Sequence, residues 1–211
     1  MKLKWFGHSC FLITSDSGTR ILTDPFDEQV GYPLPHTEAD VVTVSHNHFD
    51  HDNAGVVKGS FIQIKDAGNF THRGIEIKGI STFHDESGGA KRGKNIVFVY
   101  SIDGITICHL GDLGHVLSKE QLKEIGKVDV LLVPIGGIYT IDGEAAMEVI
   151  KSINPKVSIA MHFKTDHLLF DLAEAKEFLE KMEGKKYPCN ELTINADNIS
   201  EYPKVLTLDY L

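Results

Sequence analysis

One segment of this sequence constrains the chain more than any other, because three histidines and an aspartate directly follow a short apolar run. The run covers residues 41–44, and the segment behind it, from His46 to His51, reads H-x-H-x-D-H. Successive side chains of an extended chain alternate between two faces, so His46 and His48 point the same way and can bind one ion. An α-helix would separate them by about 200°. The segment predicts a metal-binding turn after a strand, with Asp50 and His51 able to bind a second ion.

Three later segments also place a histidine or an aspartate just after a predicted strand. The strands 80–83, 105–108 and 157–161 lead to His84, to His109-Leu110-Gly111-Asp112 and to His162. Side chains that follow several strand ends can form one rigid site. The segment from His46 to His51 alone could instead be a polar surface loop. The candidate ligands are His46, His48, Asp50, His51, His84, Asp112 and His162. Seven ligands are too many for one tetrahedral zinc ion and suit two ions.

Composition restricts the class of protein and its partners. The chain has 211 residues, 42% of them hydrophobic and 24% charged, which predicts one globular domain over residues 1–211. Twenty-one Lys and Arg against thirty Asp and Glu give a net charge of −9. We therefore expect neither sequence-independent binding to nucleic acid nor binding to an anionic membrane.

Localisation is predicted from the termini, the apolar runs and the cysteines. No apolar run approaches the roughly 20 residues that span a bilayer, and the first residues lack a signal-peptide pattern. Cys10, Cys108 and Cys189 form no CxxC pair, which is typical of reduced thiols. These features predict a cytoplasmic protein.

Short strands separated by turns dominate the first two-thirds of the chain, and helices follow. Further strands are predicted at 9–14, 19–23, 61–64, 75–77, 96–100, 130–134 and 205–208. Asp103-Gly104 favours a tight hairpin turn. Helices are predicted from Ser118 to about Gly126, from Asp142 to Ile153 and from Asp171 to about Glu183. The glycine-rich basic segment 88–93 is predicted to be a flexible turn, with a lid or a phosphate contact as the alternatives.

The order of these motifs resembles that of the metallo-β-lactamase-fold hydrolases. In the family, H-x-H-x-D-H is followed by a lone histidine, a Gly-Asp pair and a final histidine. The corresponding residues of this chain are His84, Asp112 and His162, in that order. The resemblance implies an α+β fold, a four-layer αββα sandwich with mixed sheets and with the metals between their inner edges. Residues 7–10 (GHSC), 23–26 (TDPF) and 134–137 (PIGG) further resemble the lactonase-like branch, which includes ascorbate-6-phosphate lactonase.

The same resemblance implies how the ligands divide between two divalent metal ions. One ion would be held by His46, His48 and His84, the other by Asp50, His51 and His162, with Asp112 as the bridge. The oxygen-reducing diiron branch normally has glutamate at the position of His48, so zinc (Zn2+) is favoured over a diiron redox centre. Ligand type leaves Mn2+ and Fe2+ open.

Two such ions would share a water and lower its pKa from about 15.7 to about 7, which predicts a zinc-dependent hydrolase. Asp50 and Asp112 are then the catalytic candidates, Asp50 as the group that orients the bridging hydroxide. The bond cleaved is an ester, a lactone or a related bond in a small molecule. Two alternatives stay open: a phosphodiesterase or nuclease of the same fold, which predicts a basic arm, and a non-catalytic metal-binding module.

Five other residues are weaker candidates. Three residues are candidates for binding the substrate: His8, Lys164 and Thr140. The positive charge of Lys164 would favour an anionic substrate. Asp24 is a candidate for orienting a ligand histidine from behind, and His109 is a candidate for supporting the ligands or for packing. The sequence leaves a homo-oligomer open.

Overall fold

Two mixed β-sheets, flanked by helices, make up the computed structural model, which describes residues 1–210. Over these residues the strands are β1 (Lys2–Gly7), β2 (Cys10–Thr14), β3 (Arg20–Thr23), β4 (Val41–Thr43), β5 (Ile62–Ile64), β6 (Gly68–His72), β7 (Ile75–Phe83), β8 (Lys94–Ile102), β9 (Ile105–His109), β10 (Val130–Pro134), β11 (Val157–Met161), β12 (Lys185–Tyr187), β13 (Glu191–Thr193) and β14 (Val205–Leu208). The α-helices are α1 (Lys119–Ile125), α2 (Gly143–Ile153) and α3 (Ala175–Lys181). This is the α+β sandwich that the sequence predicts. Within the same residues, no helix has the length and hydropathy to cross a membrane.

The strand order brings several strand ends to one edge of each sheet. The first sheet has the order β13-β1-β2-β3-β4-β5, with β3, β4 and β5 parallel to one another. The second has the order β12-β14-β11-β10-β9-β8-β7-β6, and β9, β10 and β11 are parallel. Because β8 is antiparallel to both β7 and β9, β7 runs in the same direction as β9. The carboxyl ends of β7, β9 and β11 therefore lie at one edge.

Burial patterns explain why these segments form these elements. In β1 the side chains of Leu3 and Trp5 are buried and that of Lys2 is exposed, the alternation of a strand with one face on the core. All five residues of β10 and of β11 are buried, as expected for parallel strands covered on both faces. In α2 the buried positions Ala146, Val149 and Ile150 follow helical spacing, so this helix packs one face on its sheet.

Several local predictions are confirmed. The predicted strands 130–134, 157–161 and 205–208 have the predicted bounds. Asp103 and Gly104 have φ values of 50° and 75°, as expected for a tight hairpin turn between β8 and β9. Ser118 and Gln121 form the reciprocal capping box that begins α1.

Other local predictions are wrong or incomplete. The strands predicted at 75–77 and 80–83 are one strand, β7, which continues through Gly79. The third helix begins at Ala175 rather than near Asp171, because the preceding backbone is extended: Ala173 donates to the carbonyl of Gly136 and accepts from the amide of Lys164. Strands β1, β6, β12 and β13 are additional to the predicted ones.

Candidate metal centre

The candidate ligands lie on loops that follow the carboxyl ends of strands. The segment His46–His51 follows β4, and Asp24 follows the adjacent parallel strand β3. The residues that follow β7, β9 and β11 are His84, the Asp112 segment and His162. Both sheets therefore contribute side chains to one site, as the sequence predicts for this arrangement of strand ends.

The carboxylate of Asp112 lies at the centre of this site and is 1% exposed. Its Oδ2 is 3.3 Å from Nε2 of His84, 3.2 Å from Nε2 of His162 and 3.8 Å from Nε2 of His46. Its Oδ1 is 3.2 Å from Nε2 of His51. One carboxylate therefore contacts imidazoles from both halves of the predicted ligand set.

The potential ligand atoms fall into three overlapping groups, within each of which all of them lie within 4.8 Å of one another. The groups are His46, His48 and His84; His8, Asp50, His51 and His162; and His46, His51 and Asp112. The first two match the predicted division of ligands, with His8 added to the second group, and the third lies between them. His8, predicted as a substrate contact and not as a ligand, thus lies among the potential ligands.

Asp24 sets the orientation of two of these histidines. Its carboxylate accepts hydrogen bonds from the amide and the hydroxyl of Ser45, both 2.7 Å, and from Nδ1 of His51 at 2.9 Å. Because the hydroxyl of Ser45 donates to Asp24, it accepts from Nδ1 of His46 at 2.9 Å. Both imidazoles therefore carry a proton on Nδ1 and turn Nε2 towards Asp112. The sequence predicts an orienting role for Asp24, and the structure places its carboxylate in contact with His51 and Ser45.

Asn95 in β8 positions the Asp112 segment and was not found by sequence reasoning. Its Oδ1 accepts from the amide of Asp112 at 2.9 Å, and its Nδ2 donates to Thr82 and to the carbonyl of Leu110. Gly111, with φ of 55°, passes so close to Asn95 that a Cβ there would collide with the amide oxygen. Glycine at position 111 is thus a steric requirement of this turn.

Burial and neighbouring charges leave Asp112 ionised and His46 neutral, and they favour the protonated form of His51. Burial, together with the charge of His51, lowers the pKa of His46 to about 3. Burial would raise the pKa of Asp112, but His162 and His51 outweigh it and hold that pKa well below its usual value. Burial would lower the pKa of His51, but Asp112 and Asp50 raise it well above its usual value. The same negative charge that attracts a proton to His51 attracts a divalent cation.

Several buried polar atoms in the site have no hydrogen-bond partner among residues 1–210. They include Nε2 of His46, Nε2 of His51, Nε2 of His162 and Oδ1 of Asp112. Burying such atoms without a partner costs free energy, which a bound cation would offset. Imidazole nitrogens and carboxylate oxygens are also the donors of zinc sites. The residues present therefore fit divalent metal ions.

His8 and His109 lie behind the centre with different environments. His8 is buried, with its Nε2 3.1 Å from Oδ2 of Asp50, and burial lowers its pKa to about 4. His109 uses both ring nitrogens: Nε2 donates to the carbonyl of Ser9 at 2.8 Å and Nδ1 accepts from the amide of Gly111 at 3.0 Å. His109 therefore holds the backbone behind Asp112, as expected of a supporting residue, and has no lone pair left for an ion.

A cavity of about 420 Å³ opens on the candidate ligands. It is lined by His48, Phe49, Asp50, His84, Lys91, Arg92, Asp112, Tyr139 and Phe170. This volume lies within the range of small-molecule sites.

Two predicted substrate contacts do not line this cavity. The ammonium of Lys164 donates to the carbonyls of Leu168 and Phe170, both at 2.9 Å. Lys164 lines a separate cavity of about 770 Å³, together with Trp5. The hydroxyl of Thr140 donates to the carbonyl of Ile141 at 3.0 Å, and its neighbour Tyr139 lines the cavity instead. Their polar groups are engaged by backbone carbonyls, which sequence reasoning could not foresee.

Comparisons with known proteins agree with this geometry. Residues 2–162 match the family model described as "Beta-lactamase superfamily domain". A UPF0173 metal-dependent hydrolase of Thermoplasma acidophilum is 31% identical over 201 residues, which cover 83% of this chain and 87% of the relative.

Solved structures give the same result. A Thermotoga maritima protein assigned to the Zn-dependent hydrolases of the metallo-β-lactamase superfamily is 45% identical, with a TM-score of 0.82 over 98% of this chain and 97% of the other. Igni18, a metallo hydrolase of Ignicoccus hospitalis, is 25% identical, with a TM-score of 0.62 over 86% and 90% of the two chains. The chain therefore belongs to the metallo-β-lactamase superfamily, and within it to the UPF0173 family of metal-dependent hydrolases.

Proposed function

We propose that this protein is a dinuclear zinc hydrolase that cleaves an ester or a lactone in a small molecule. The observation that carries the proposal is the position of the buried Asp112 carboxylate, within 3.8 Å of four imidazole nitrogens that belong to two ligand groups. The first ion would be held by His46, His48 and His84. The second would be held by Asp50, His51 and His162, and Asp112 would contact both.

The residues around the ions supply binding and orientation. Two divalent ions bound there would supply a water of lowered pKa and an electrophile for the substrate oxygen. Asp50 lines the cavity and can accept a hydrogen bond from the attacking water, while Nε2 of His8 donates to its Oδ2. With a pKa lowered to about 4, His8 is neutral at pH 7 and holds Asp50 without adding charge. His8 is thus a positioning residue in this proposal.

The proposal also covers the size of the substrate, the cellular compartment, the bond cleaved and the oligomeric state. A cavity of about 420 Å³ favours a small molecule over a polymer as the substrate. The free thiols of Cys10 and Cys108 are buried, which fits a reducing compartment such as the cytoplasm. The resemblance to the lactonase-like branch supports a lactone or an ester as the bond cleaved. We keep a homo-oligomer as an alternative to a monomer.

Metal content and the effect of one substitution test the proposal. Elemental analysis of zinc-loaded protein should give two ions per chain. Asp112→Ala should bind fewer than two ions and lower kcat/KM by about 100-fold or more, because the lost charge stabilisation amounts to several kcal/mol. The matched control is Asp197→Ala, which removes an exposed carboxylate near the carboxyl end of the chain. Fewer than two ions in the wild type, or wild-type turnover in Asp112→Ala, would contradict the dinuclear assignment.

A substrate panel separates the proposed reaction from its alternatives. Lactones, aryl esters, aryl phosphodiesters and single-stranded RNA should be tested with the same zinc-loaded protein. Cleavage of lactones or aryl esters supports the proposal. Cleavage of the phosphodiesters or the RNA alone favours the nuclease, and metal binding without turnover of any substrate favours the non-catalytic module.

A further inference from the structure

The loop between His84 and β8 is held in one shape by a single buried carboxylate. Oδ1 of Asp85 accepts from the amides of Ser87 and Gly89 at 2.8 and 3.0 Å. Oδ2 accepts from the amides of Lys91 and Arg92 at 2.9 and 2.7 Å. Four hydrogen bonds to one carboxylate are a strong local constraint. The segment 88–93 forms turns, as predicted, and Asp85 accepts hydrogen bonds from amides across them.

This loop presents two basic side chains to the cavity beside the candidate metal centre. Lys91 and Arg92 both line the cavity of about 420 Å³. The guanidinium carbon of Arg92 is 5.5 Å from the ring centroid of Tyr139, so the two side chains stack. None of the ion pairs formed among the described residues involves Arg92, whereas Lys91 has Glu86 at 3.7 Å. The half-buried guanidinium therefore keeps its planar donors available to a ligand.

Three aromatic side chains form a cluster in the same cavity, and one of them, Tyr139, also contacts Arg92. The ring centroid of Phe170 is 6.4 Å from that of Phe49 and 6.1 Å from that of Tyr139. Phe49 and Tyr139 are 47% and 40% exposed, which is unusual for large apolar side chains grouped together. Lys164 fixes the loop that carries Phe170 by donating to the carbonyl of Phe170. The cluster is thus a supported apolar surface next to Asp50, the residue after Phe49.

We propose that the substrate of this site is an organic anion with a planar apolar body. Arg92 binds a carboxylate or phosphate group of the substrate through two parallel hydrogen bonds, a geometry that the guanidinium fork favours. Phe49, Tyr139 and Phe170 contact the apolar body, and the bond to be cleaved lies beside Asp50 and Asp112. That the bound anion is cleaved rests on the proposed function. That an anion binds rests on the residues of the cavity alone.

Binding of three uncleaved analogues to zinc-loaded protein tests the anion site without turnover. The analogues are 4-acetamidobenzoate, 4-acetamidophenylphosphonate and neutral 4-acetamidobenzamide, measured by isothermal titration calorimetry. The wild type should bind at least one of the anions about tenfold tighter than the neutral amide. Whichever anion binds more tightly identifies the group that Arg92 recognises.

Two substitutions assign the selectivity to residues. Arg92→Gln should remove the preference for anions and leave the affinity for the neutral amide unchanged. Phe170→Ala should weaken all three analogues about tenfold, because it removes apolar contact area. The matched control, Arg73→Gln, replaces an exposed arginine that pairs with Asp40 at the other end of the fold and should change none of the affinities. Thermal unfolding of each variant checks that it folds.

The outcomes separate this inference from the proposed function. Equal binding of anions and neutral amide, or a preference that survives Arg92→Gln, overturns the anion site. Turnover of 4-acetoxybenzoate and 4-acetoxybenzamide is measured in parallel. Cleavage of both esters at equal kcat/KM also overturns the anion site and supports the ester hydrolase. Anion-selective binding that depends on Arg92, with neither ester cleaved, supports the anion site and counts against the ester hydrolase.

Discussion

The buried carboxylate of Asp24 is connected to two candidate ligands at once, directly to His51 and through the hydroxyl of Ser45 to His46. Burial would raise its pKa, but the hydrogen bond from His51 and the charge of His51 lower it, so the group is ionised. An ionised carboxylate only accepts hydrogen bonds. One proton of each histidine is therefore held on Nδ1, on the side away from Asp112.

Asp24→Asn should weaken zinc binding by about 10- to 100-fold. The amide nitrogen that replaces Oδ2 is itself a donor and cannot accept from His51 and Ser45, so both imidazoles lose their fixed orientation. Asn also tolerates the positive φ of 41° at this position, so the backbone is not strained. Competition with a chromophoric chelator measures the affinity.

Asp197→Asn is the matched control, because Asp197 is exposed and lies near the carboxyl end of the chain. It should bind zinc as the wild type does. A zinc affinity of Asp24→Asn within about twofold of the wild type would show that the contact of Asp24 does not determine the orientation of the ligands.

Strand β7 continues through Gly79 because this residue lets another part of the chain approach its backbone. A Cβ built on Gly79 would lie 2.5 Å from the carbonyl oxygen of Asp66 and 3.1 Å from Cα of Ala67. Gly79 pairs with Gly68 in β6 and with Phe98 in β8. The glycine that reads as a strand break in the sequence is a point of close approach in the sheet.

Gly79→Ala should therefore lower the free energy of unfolding by about 1–3 kcal/mol, the usual effect of overpacking. Gly143→Ala is the matched control: Gly143 is the first residue of α2, and its nearest neighbour to a new Cβ is Phe178 at 3.6 Å. That substitution should leave stability unchanged or raise it by up to about 1 kcal/mol. Urea unfolding in the presence of a chelator measures both, and equal effects of the two substitutions would contradict the close approach.

Ligands from both sheets meet at one edge of the molecule, so bound ions would connect the two sheets. His46, His48, Asp50 and His51 follow a strand of the first sheet, and His84, Asp112 and His162 follow strands of the second. Any ion that binds only the folded chain stabilises it by mass action. Stability of the whole molecule should therefore depend on metal.

Zinc at about 1,000 times its dissociation constant should stabilise the folded state by about 4 kcal/mol. For a chain of this length the expected rise in Tm is roughly 8–16 °C, measured by scanning calorimetry of chelated and zinc-loaded protein. Calcium is the control ion, because it prefers oxygen ligands and should give little stabilisation in a histidine-rich site. An unchanged Tm after zinc loading would contradict a metal site that spans both sheets.

Features that depend on residues close together in the chain could be predicted from the sequence. The alternation that places His46 and His48 on one side, the turn at Asp103-Gly104 and the capping box of Ser118 each involve only a few consecutive residues. Backbone dihedral preferences and side-chain periodicity act over that distance, so the sequence by itself determined these local elements and the candidate ligands.

Contacts between distant segments were decided by the tertiary structure alone. Asn95 accepts from the amide of Asp112, 17 residues later, and His8 contacts Asp50, 42 residues later. Arg92 and Tyr139 meet only because their loops border one cavity. Such pairings depend on how the two sheets pack, and packing brings together residues that share no local pattern in the sequence.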